Sequence, residues 1–517
     1  MKMIFAFIIS LSLLFALPVF AADQAELLQK IEALTKELER LKLQVQEIQK
    51  KDTVREERVS AVEKKAEQAS ESAGHLSWLE IGGDYRGRFD YLRGKTHDAL
   101  IFNPNFNQAL PPGPTNQPLI PYTGETIKNE SLLTNRLGLN LKAAATEDVN
   151  VKVRLLMYKV WGHGTEGPVI GYFADRAGIF DGTTGHVPQD NTLRVDQAYA
   201  TWSNIADMPL WFSIGRRPST KGVPSNLRLN TERTGTAGVP ALLVDYAFDG
   251  LTIGAAPDIK ALPGAYVKFC YGKGFDSGYR SFANSLKDTH MVGVDLVPYD
   301  TENLRFELNI NKGIDIFARP EIGQINVGDI MWYGATVTGK LDKIGVGDLN
   351  LFISAAISDT DPNNKTIFGG AFPFDYGLMW DTVEGRKSRS GYALYLGARY
   401  DIKSYGTKLG LEYNYGSKNW ITFAPASDDI WTAKLGTRGN VYEAYVIQDL
   451  RLKPISKRGN AFVRIGYQYY DFNYTGSNNW IGAPHKITTL TQSGPIGQFF
   501  PPIRNAQNVY MTFDVVF

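Results

Sequence analysis

The sequence has very little cysteine and no excess of charge of either sign. Cys270 is the one cysteine among 517 residues, which excludes an internal disulfide framework, a cysteine-based zinc site and a c-type haem attachment motif. Lysine and arginine number 55 against 54 aspartates and glutamates, so charge gives no argument for nucleic-acid binding. After the N-terminal residues, no uncharged apolar run reaches the roughly 18 residues that a membrane-spanning helix needs. The sequence therefore does not predict a helical membrane protein.

The motifs of common enzyme classes are also missing. The chain has no HExxH zinc motif, no Walker loop and no GxSxG nucleophile elbow. Its six histidines are scattered without ligand spacing. Segment 359–370 begins like a calcium loop, but Asn364 and Gly370 stand where an EF-hand needs Gly and Glu. We therefore predict a protein that is not an enzyme and that carries no metal or other cofactor.

The first 21 residues contain a long apolar stretch with the features of a targeting sequence. Lys2 precedes an almost unbroken apolar run from Ile4 to Leu17, and Ala21 ends a small-residue cleavage site. This pattern predicts a secretory signal peptide over residues 1–21. A short membrane anchor is the alternative, although a polar segment follows directly.

Residues 22–74 change to a helical pattern. Apolar side chains recur at spacings of three and four residues, which is a heptad repeat flanked by Glu and Lys. They are Leu27, Ile31, Leu34, Leu38, Leu41, Val45, Ile48, Val59, Val62, Ala66, Ala69 and Ala73. The pattern predicts a periplasmic coiled coil that joins copies of the chain or docks a periplasmic partner; a single amphipathic helix lying on another surface is the alternative. The apolar positions do not choose between a dimer and a trimer.

From Trp78 onward the period of the pattern is two. In the first such segment, apolar Tyr85 and Phe89 alternate with charged Arg86 and Arg88, as in a strand with one apolar and one charged face. Sixteen segments of this kind are predicted, at 78–92, 131–145, 149–161, 193–206, 210–217, 241–256, 265–272, 289–298, 304–314, 330–341, 348–358, 390–402, 407–420, 441–452, 460–474 and 507–517.

The connections between these segments are alternately very short and very long. Tight turns at one end and long loops at the other are typical of an outer-membrane barrel, because a sheet in lipid must close to satisfy its backbone polar groups. We therefore predict an all-β transmembrane antiparallel barrel over residues 78–517 in the bacterial outer membrane, with the coiled coil on the periplasmic side. A hairpin turn at Asp249-Gly250, or strands within 218–239, would raise the count of sixteen strands to 18 or 20.

The last strand ends in an aromatic residue. Its alternating apolar positions are Phe513, Val515 and Phe517. This ending resembles the final-strand signal that the barrel-assembly machinery of bacterial outer membranes reads. The resemblance implies that machinery, together with outer-membrane lipid, as a partner.

The whole chain resembles a bacterial outer-membrane porin with an N-terminal periplasmic coiled coil. More narrowly, it resembles a poorly characterised porin-like family of metal-reducing bacteria in WLEIGGDYRGRFDYLRG at the first strand, RVDQAYATW (194–202), FSIGRRPST (212–220) and VDYAFDGL (244–251). The porin resemblance implies a homo-oligomer, for which we choose a trimer, and one long loop folded inward as a constriction. The longest loop is 94–130. Some members of the narrower group form conduits with multihaem cytochromes, so such a cytochrome is a candidate partner.

The charged faces of the strands predict what lines the barrel. A barrel of sixteen strands is wide enough for an aqueous channel. The predicted lining residues are Asp84, Arg86, Arg88, Arg136, Lys152, Arg154, Arg305, Glu307, Arg399, Glu412, Arg464 and Asp514. Their signs do not form a ring of one charge that would select ions, and polar wall residues that pair across strands are the alternative interpretation.

Two functional hypotheses follow from this lining. The first is a porin through which small hydrophilic solutes or ions diffuse passively. The second is a scaffold that sheathes a multihaem cytochrome in an electron conduit across the outer membrane.

Overall fold

The structure is a computed structural model that describes most of the chain after residue 76. It describes residues 77–517 except 104, 108–109, 112, 115, 164–185, 283, 319–324, 371–373, 425–427 and 457. The predicted signal peptide and the predicted coiled coil lie outside the described residues. Residues from Trp78 to Phe517 form one compact unit. No helix in this part of the chain is long and apolar enough to cross a membrane.

Strands dominate the described residues. In chain order they are β1 (Leu79–Thr96), β2 (Ala99–Phe102), β3 (Leu119–Tyr122), β4 (Thr126–Ala144), β5 (Val149–Val160), β6 (Arg194–Trp202), β7 (Leu210–Ser219), β8 (Tyr246–Ala255), β9 (Tyr266–Phe275), β10 (Thr289–Asp300), β11 (Leu304–Phe317), β12 (Asn326–Ile344), β13 (Gly347–Pro362), β14 (Tyr376–Gly377), β15 (Trp380–Asp381), β16 (Arg389–Ile402), β17 (Thr407–Gly416), β18 (Gly439–Asp449), β19 (Asn460–Phe472), β20 (Gly497–Gln498) and β21 (Ile503–Val516). The helices are short, and the only α-helix among the described residues is Ser225–Leu229.

Sixteen of these strands close into one antiparallel barrel. The order around it is β1-β21-β19-β18-β17-β16-β13-β12-β11-β10-β9-β8-β7-β6-β5-β4. The seam joins the first strand to the last, with Tyr85 opposite Val515. Each of the sixteen predicted segments corresponds to one barrel strand, so the predicted antiparallel barrel and its strand count are confirmed. The higher counts are wrong, because Asp249 and Gly250 lie inside β8.

The remaining strands form two small sheets. The strands β2, β3 and β20 make a three-stranded sheet, and β14 pairs with β15. The sequence predicted one long loop over 94–130, whereas β2 and β3 lie within it and the flanking strands reach Thr96 and Thr126. The predicted strand 241–256 begins only at Tyr246.

The two faces of the barrel wall differ from those of a soluble protein. Along β13, the side chain of Ile353 is 48% exposed on the outer face while its neighbour Ser354 is 1% exposed on the inner face. The same alternation places Ile357 outside and Ser358 inside. Apolar side chains outside and polar side chains inside are the arrangement of a barrel that stands in lipid.

The two ends of the barrel carry different connections. At the short-turn end, where β1 starts and β21 finishes, the connections are 145–148, 203–209, 256–265, 301–303, 345–346, 403–406 and 450–459. At the long-loop end they are 97–125, 161–193, 220–245, 276–288, 318–325, 363–388, 417–438 and 473–502. The predicted division into tight turns at one end and long loops at the other is confirmed for most connections; 256–265 and 450–459 at the short-turn end have ten residues each, and 318–325 at the long-loop end has eight.

One long connection, residues 220–245 (loop A), crosses the barrel interior. Arg464 on β19 donates a hydrogen bond to the carbonyl of Arg228 at 2.6 Å, and Lys268 on β9 donates to the carbonyl of Thr236 at 2.8 Å. The strands β19 and β9 are eight places apart in the closed ring of sixteen. A single loop can contact opposite walls only from the inside.

A second connection, residues 417–438 apart from 425–427 (loop B), crosses the interior in another direction. The indole N–H of Trp332 on β12 donates to the carbonyl of Ile421 at 2.9 Å, while Arg136 on β4 donates to Asp428 at 3.0 Å. The strands β12 and β4 also stand opposite each other in the ring. Loop B therefore reaches from wall to wall as well.

Loops A and B contact each other inside the barrel. Val244 forms a parallel β-bridge with Phe423, and the hydroxyl of Thr422 donates to the carbonyl of Leu242 at 2.6 Å. Leu242 and Trp420 are completely or almost completely buried. Apolar runs of this kind fold inward because the interior removes them from water, at about 25 cal/mol for each Å² buried. The interior therefore differs from the open, water-filled channel that the strand pattern predicted.

Candidate functional site: the charged interior

The predicted lining residues do not form one site. Eight have buried side chains in the interior: Arg86, Arg88, Arg154, Arg305, Glu307, Glu412, Arg464 and Asp514. Asp84, Arg136 and Arg399 are half-buried, and Lys152 is exposed near the short-turn end. The structure places them in three groups of contacts, which loops A and B link to one another, and leaves Lys152 exposed.

The first network surrounds one carboxylate of loop B. Arg86 approaches the Asp428 carboxylate at 2.7 Å, Arg136 at 3.0 Å and Arg464 at 3.8 Å. Arg88 donates to the backbone carbonyl of Asp428 at 3.1 Å. We name Arg86, Arg88, Arg136 and Arg464 the arginine cluster. Four guanidinium groups therefore meet at one loop residue.

Strand register brings the arginine cluster together. Arg86 on β1 stands directly opposite Arg136 on β4 and opposite Asp514 on β21. Like charges directly opposite each other destabilise a sheet, so the arrangement needs carboxylates close by. Asp514 accepts from Arg86 at 2.6 Å, and Asp428 supplies the negative charge that loop B contributes.

The ionisation of Asp428 follows from its neighbours. Its side chain is 12% exposed, and burial by itself opposes the charged form. The positive charges of Arg86, Arg136 and Arg88 outweigh that effect and hold the pKa of Asp428 well below its usual range. Asp428 therefore remains a carboxylate in the closed barrel.

The second network fixes the other end of loop B. The ammonium group of Lys434 contacts Glu443 on β18 at 2.5 Å and also bonds Glu412 on β17. Asp429, next to Asp428, accepts from Arg228 of loop A at 2.6 Å. The predicted lining residue Glu412 therefore anchors loop B.

The third network lies on the far side of the barrel. Arg305 and Glu307 form an ion pair at 3.0 Å, and the phenol of Tyr266 accepts a hydrogen bond from Arg305 at 2.7 Å. Arg399 stands apart from this pair on β16, beside β17; it pairs with Asp401 at 2.7 Å and donates to the carbonyl of Leu227 in loop A.

Several residues of these networks could not be found from strand parity. Asp428, Asp429, Lys434 and Arg228 all lie in the inward loops, Arg228 within the short helix Ser225–Leu229, and the strand period that reveals direction is absent there. The one available signal is the apolar stretch that begins at Trp420, which is too apolar for a loop in water. In the described part of the chain, no three His, Cys, Asp or Glu side chains are grouped so that they could hold a metal ion.

The residues of the predicted assembly signal lie at the seam. Phe513 and Phe517 are both partly exposed on the outer side, and Val515 stands opposite Tyr85. The backbone N–H of Phe517 donates to the carbonyl of Gly83 at 3.0 Å, and its carbonyl accepts from Gly83 at 2.8 Å. The terminal residue thus helps to close the barrel, and its recognition by the assembly machinery stays a prediction.

Two solved outer-membrane proteins are similar in structure to this chain. It is similar to OmpT, an outer membrane protein of Vibrio cholerae in a trimer form, with 11% sequence identity, a TM-score of 0.38 and coverage of 85% of this chain and 99% of that chain. It is also similar to OmpF of Salmonella typhi in complex with daunomycin, with 11% identity, a TM-score of 0.42 and coverage of 84% and 97%. Likeness at this level carries no functional argument, and the strand pairing itself establishes the barrel. No curated protein matches the chain.

A family model matches residues 126–517. The matched span is most of the chain. It includes both inward loops and every barrel strand except β1. The family description names no organism, so the narrower resemblance to a family of metal-reducing bacteria stays a prediction. The chain belongs to the family described as "Protein of unknown function (DUF3373)".

Proposed function

We propose that the protein is an outer-membrane channel for small hydrophilic solutes, and that loops A and B close it in the described conformation. The observation that supports this proposal is the way loop B is fixed. Asp428 and Lys434 attach it to the barrel wall through buried ion pairs. A plug held in this way can separate from the wall into water.

The energetics of buried ion pairs support a plug that can move. The Coulomb attraction between two buried charges is largely offset by the cost of removing them from water, so such pairs add little net stability. Charges that separate and become hydrated therefore lose little free energy. Apolar groups that separate into water lose their whole burial energy. The ion pairs of Asp428 and Lys434 are thus the contacts of loop B that cost least to separate, whereas Ile430 and Trp431 between them are buried and oppose its release.

The second hypothesis has no comparable support. A barrel that sheathes a multihaem cytochrome needs an empty interior, whereas the side chains of loops A and B occupy this one, and Leu242 and Trp420 are buried in it. The conduit, the trimer and a periplasmic partner remain predictions.

Replacement of Lys434, which anchors loop B, tests whether release of this loop opens the channel. Lys434→Met keeps the length of the side chain and, while loop B is inside, leaves Glu412 buried without its cation and Glu443 with only Arg228, at 3.4 Å. Removing one partner of a buried pair costs about 3–5 kcal/mol, and about 3 kcal/mol raises the open fraction roughly a hundredfold. In planar lipid bilayers, we expect brief openings from the wild type and long ones from the variant.

Lys453→Met is the matched control, because Lys453 is an exposed lysine in the connection 450–459 at the short-turn end. It should behave as the wild type does. Folding of all three proteins is checked by their heat-dependent migration in detergent gels. Correctly folded Lys434→Met protein that conducts no better than the wild type would contradict the proposal.

A further inference from the structure

The arginine cluster holds a carboxylate that belongs to a loop and not to the wall. We propose that this cluster is a binding site for small carboxylate solutes, that Asp428 occupies it in the closed state, and that such solutes open the channel by taking the place of Asp428. The inference rests on the proposed function, because it names the solute class and the regulation of the same channel.

The geometry around Asp428 is that of a carboxylate site. Arg86 and Arg136 approach its two oxygens from adjacent strands at 2.7 and 3.0 Å, and Arg464 faces it from a third strand. Guanidinium groups offer planar pairs of N–H donors that match the two oxygens of a carboxylate. The wall positions these groups by strand register, so the site keeps its shape when the loop departs.

The charges of the wall are not balanced without the loop. Each of the three wall carboxylates that contact the arginine cluster approaches one member: Asp514 contacts Arg86, Asp90 contacts Arg88 and Asp84 contacts Arg136. Four arginines are therefore matched by three strand carboxylates, and Asp84 also pairs with Arg154 at 2.6 Å. The fourth negative charge is Asp428. Once loop B has left, the site carries an uncompensated positive charge that attracts an anion.

The cluster also has donors that Asp428 does not use. The Nε atoms of Arg136 and Arg464 are buried and have no hydrogen-bond partner among the described residues, and the side chain of Arg464 is 2% exposed. Buried donors without acceptors are costly. A free carboxylate, which is not tethered to a loop backbone, can settle where it accepts from more of these donors.

The inner face of β4 is more exposed toward the short-turn end than at the arginine cluster. Along β4, the exposed fraction of the side chain rises from 11% at Arg136 to 50% at Lys142. Those six residues span about 20 Å toward the short-turn end. Lys142 stands opposite Lys152, which is also exposed. The mouth at this end is thus open to water, and in the proposed open state this is the side from which a solute would enter.

The coupling between solute and loop follows from competition. A carboxylate binds the cluster only after Asp428 has left, so it stabilises the open state and not the closed one. The open fraction then rises by the factor 1 + [L]/Kd. With a Kd of roughly 10 mM, raising the solute from about 10 mM to about 100 mM increases the open fraction roughly fivefold.

The experiment measures dwell times of the wild-type channel in planar bilayers as potassium acetate replaces potassium chloride at constant ionic strength. Chloride is the reference because a spherical ion cannot accept paired hydrogen bonds from one guanidinium as a carboxylate does. We expect the open fraction to rise roughly fivefold over the tenfold range of acetate. Asp428→Asn should be open for most of the time and should not respond to acetate.

The matched control is Asp249→Asn, which removes an exposed carboxylate paired with Arg216 far from the arginine cluster. It should keep the acetate response of the wild type. Channels that open equally in acetate and chloride would overturn this inference and leave the proposed function standing. If wild type, Asp428→Asn and Lys434→Met are all folded and none conducts in either salt, both the inference and the proposed function are overturned.

Discussion

Replacement of Arg438 by alanine is expected to loosen the long-loop end of the barrel by about 3 kcal/mol or more. The side chain of Arg438 is 1% exposed, and it donates to the carbonyls of Trp420, Thr475 and Asn479 at 3.0, 2.9 and 2.7 Å. It thus joins loop B to the loop 473–502. Each buried acceptor left without a donor costs about 1–3 kcal/mol, and the cavity adds to this cost.

The measurement is limited proteolysis of the folded protein in outer-membrane vesicles, followed by mass spectrometry. We expect cleavage within 473–502 to become at least tenfold faster in Arg438→Ala. Arg458→Ala is the control, since that arginine is 77% exposed in a turn at the other end, where surface substitutions change stability by less than about 0.5 kcal/mol. Equal cleavage rates in the two variants would mean that Arg438 does not order these loops.

A charged side chain introduced on the outer face of the barrel wall is expected to destabilise the protein about as much as the loss of Arg438 loosens the long-loop end. Ile353 is 48% exposed near the middle of β13. An exposed position on a soluble protein accepts arginine at little cost, whereas arginine at the midplane of a bilayer costs about 2–4 kcal/mol. We therefore expect Ile353→Arg to lower the free energy of unfolding by that amount in urea titrations of the barrel in lipid vesicles.

Ile455→Arg is the control for Ile353→Arg, because it introduces the same charge at an exposed isoleucine outside the barrel wall. Ile455 is the more exposed of the two residues, but it lies in the turn 450–459 at the short-turn end. If exposure to water decided the outcome, both variants would be harmless. If lipid surrounds the wall, only Ile353→Arg is destabilised. Equal unfolding midpoints for the two variants would place the outer face of β13 in water.

The barrel could be predicted from sequence because its information is local. Neighbours such as Ile353 and Ser354 differ in polarity, and that difference repeats along each strand whatever the rest of the chain does. The parity of Arg86, Arg88 and Arg464 placed them correctly on the inner face for the same reason. Parity gives the face of a residue but not its depth, and Lys152 accordingly stands exposed near the short-turn end.

The plug could not be predicted because its contacts are between distant parts of the chain. Asp429 meets Arg228, and Asp428 meets Arg86, across hundreds of residues. Nothing near either partner in sequence signals the other. The apolar residues 241–245 have the pattern of a strand, and the sequence therefore predicts one there, although they belong to loop A. The longest predicted loop, 94–130, instead contributes β2 and β3 to a small sheet.

A disulfide between loops A and B tests most directly whether they meet inside the barrel. Val244 and Phe423 face each other in a parallel bridge, and paired strands lie about 4.8 Å apart, which suits the spacing of a disulfide. With Cys270 replaced by serine, Val244→Cys and Phe423→Cys should form a disulfide in nearly all folded molecules under mild oxidation.

The pair Val244→Cys and Ile353→Cys, with one residue outside the wall, should not cross-link. Folded barrels whose cysteines at 244 and 423 stay free and react with a membrane-impermeant maleimide would contradict the account.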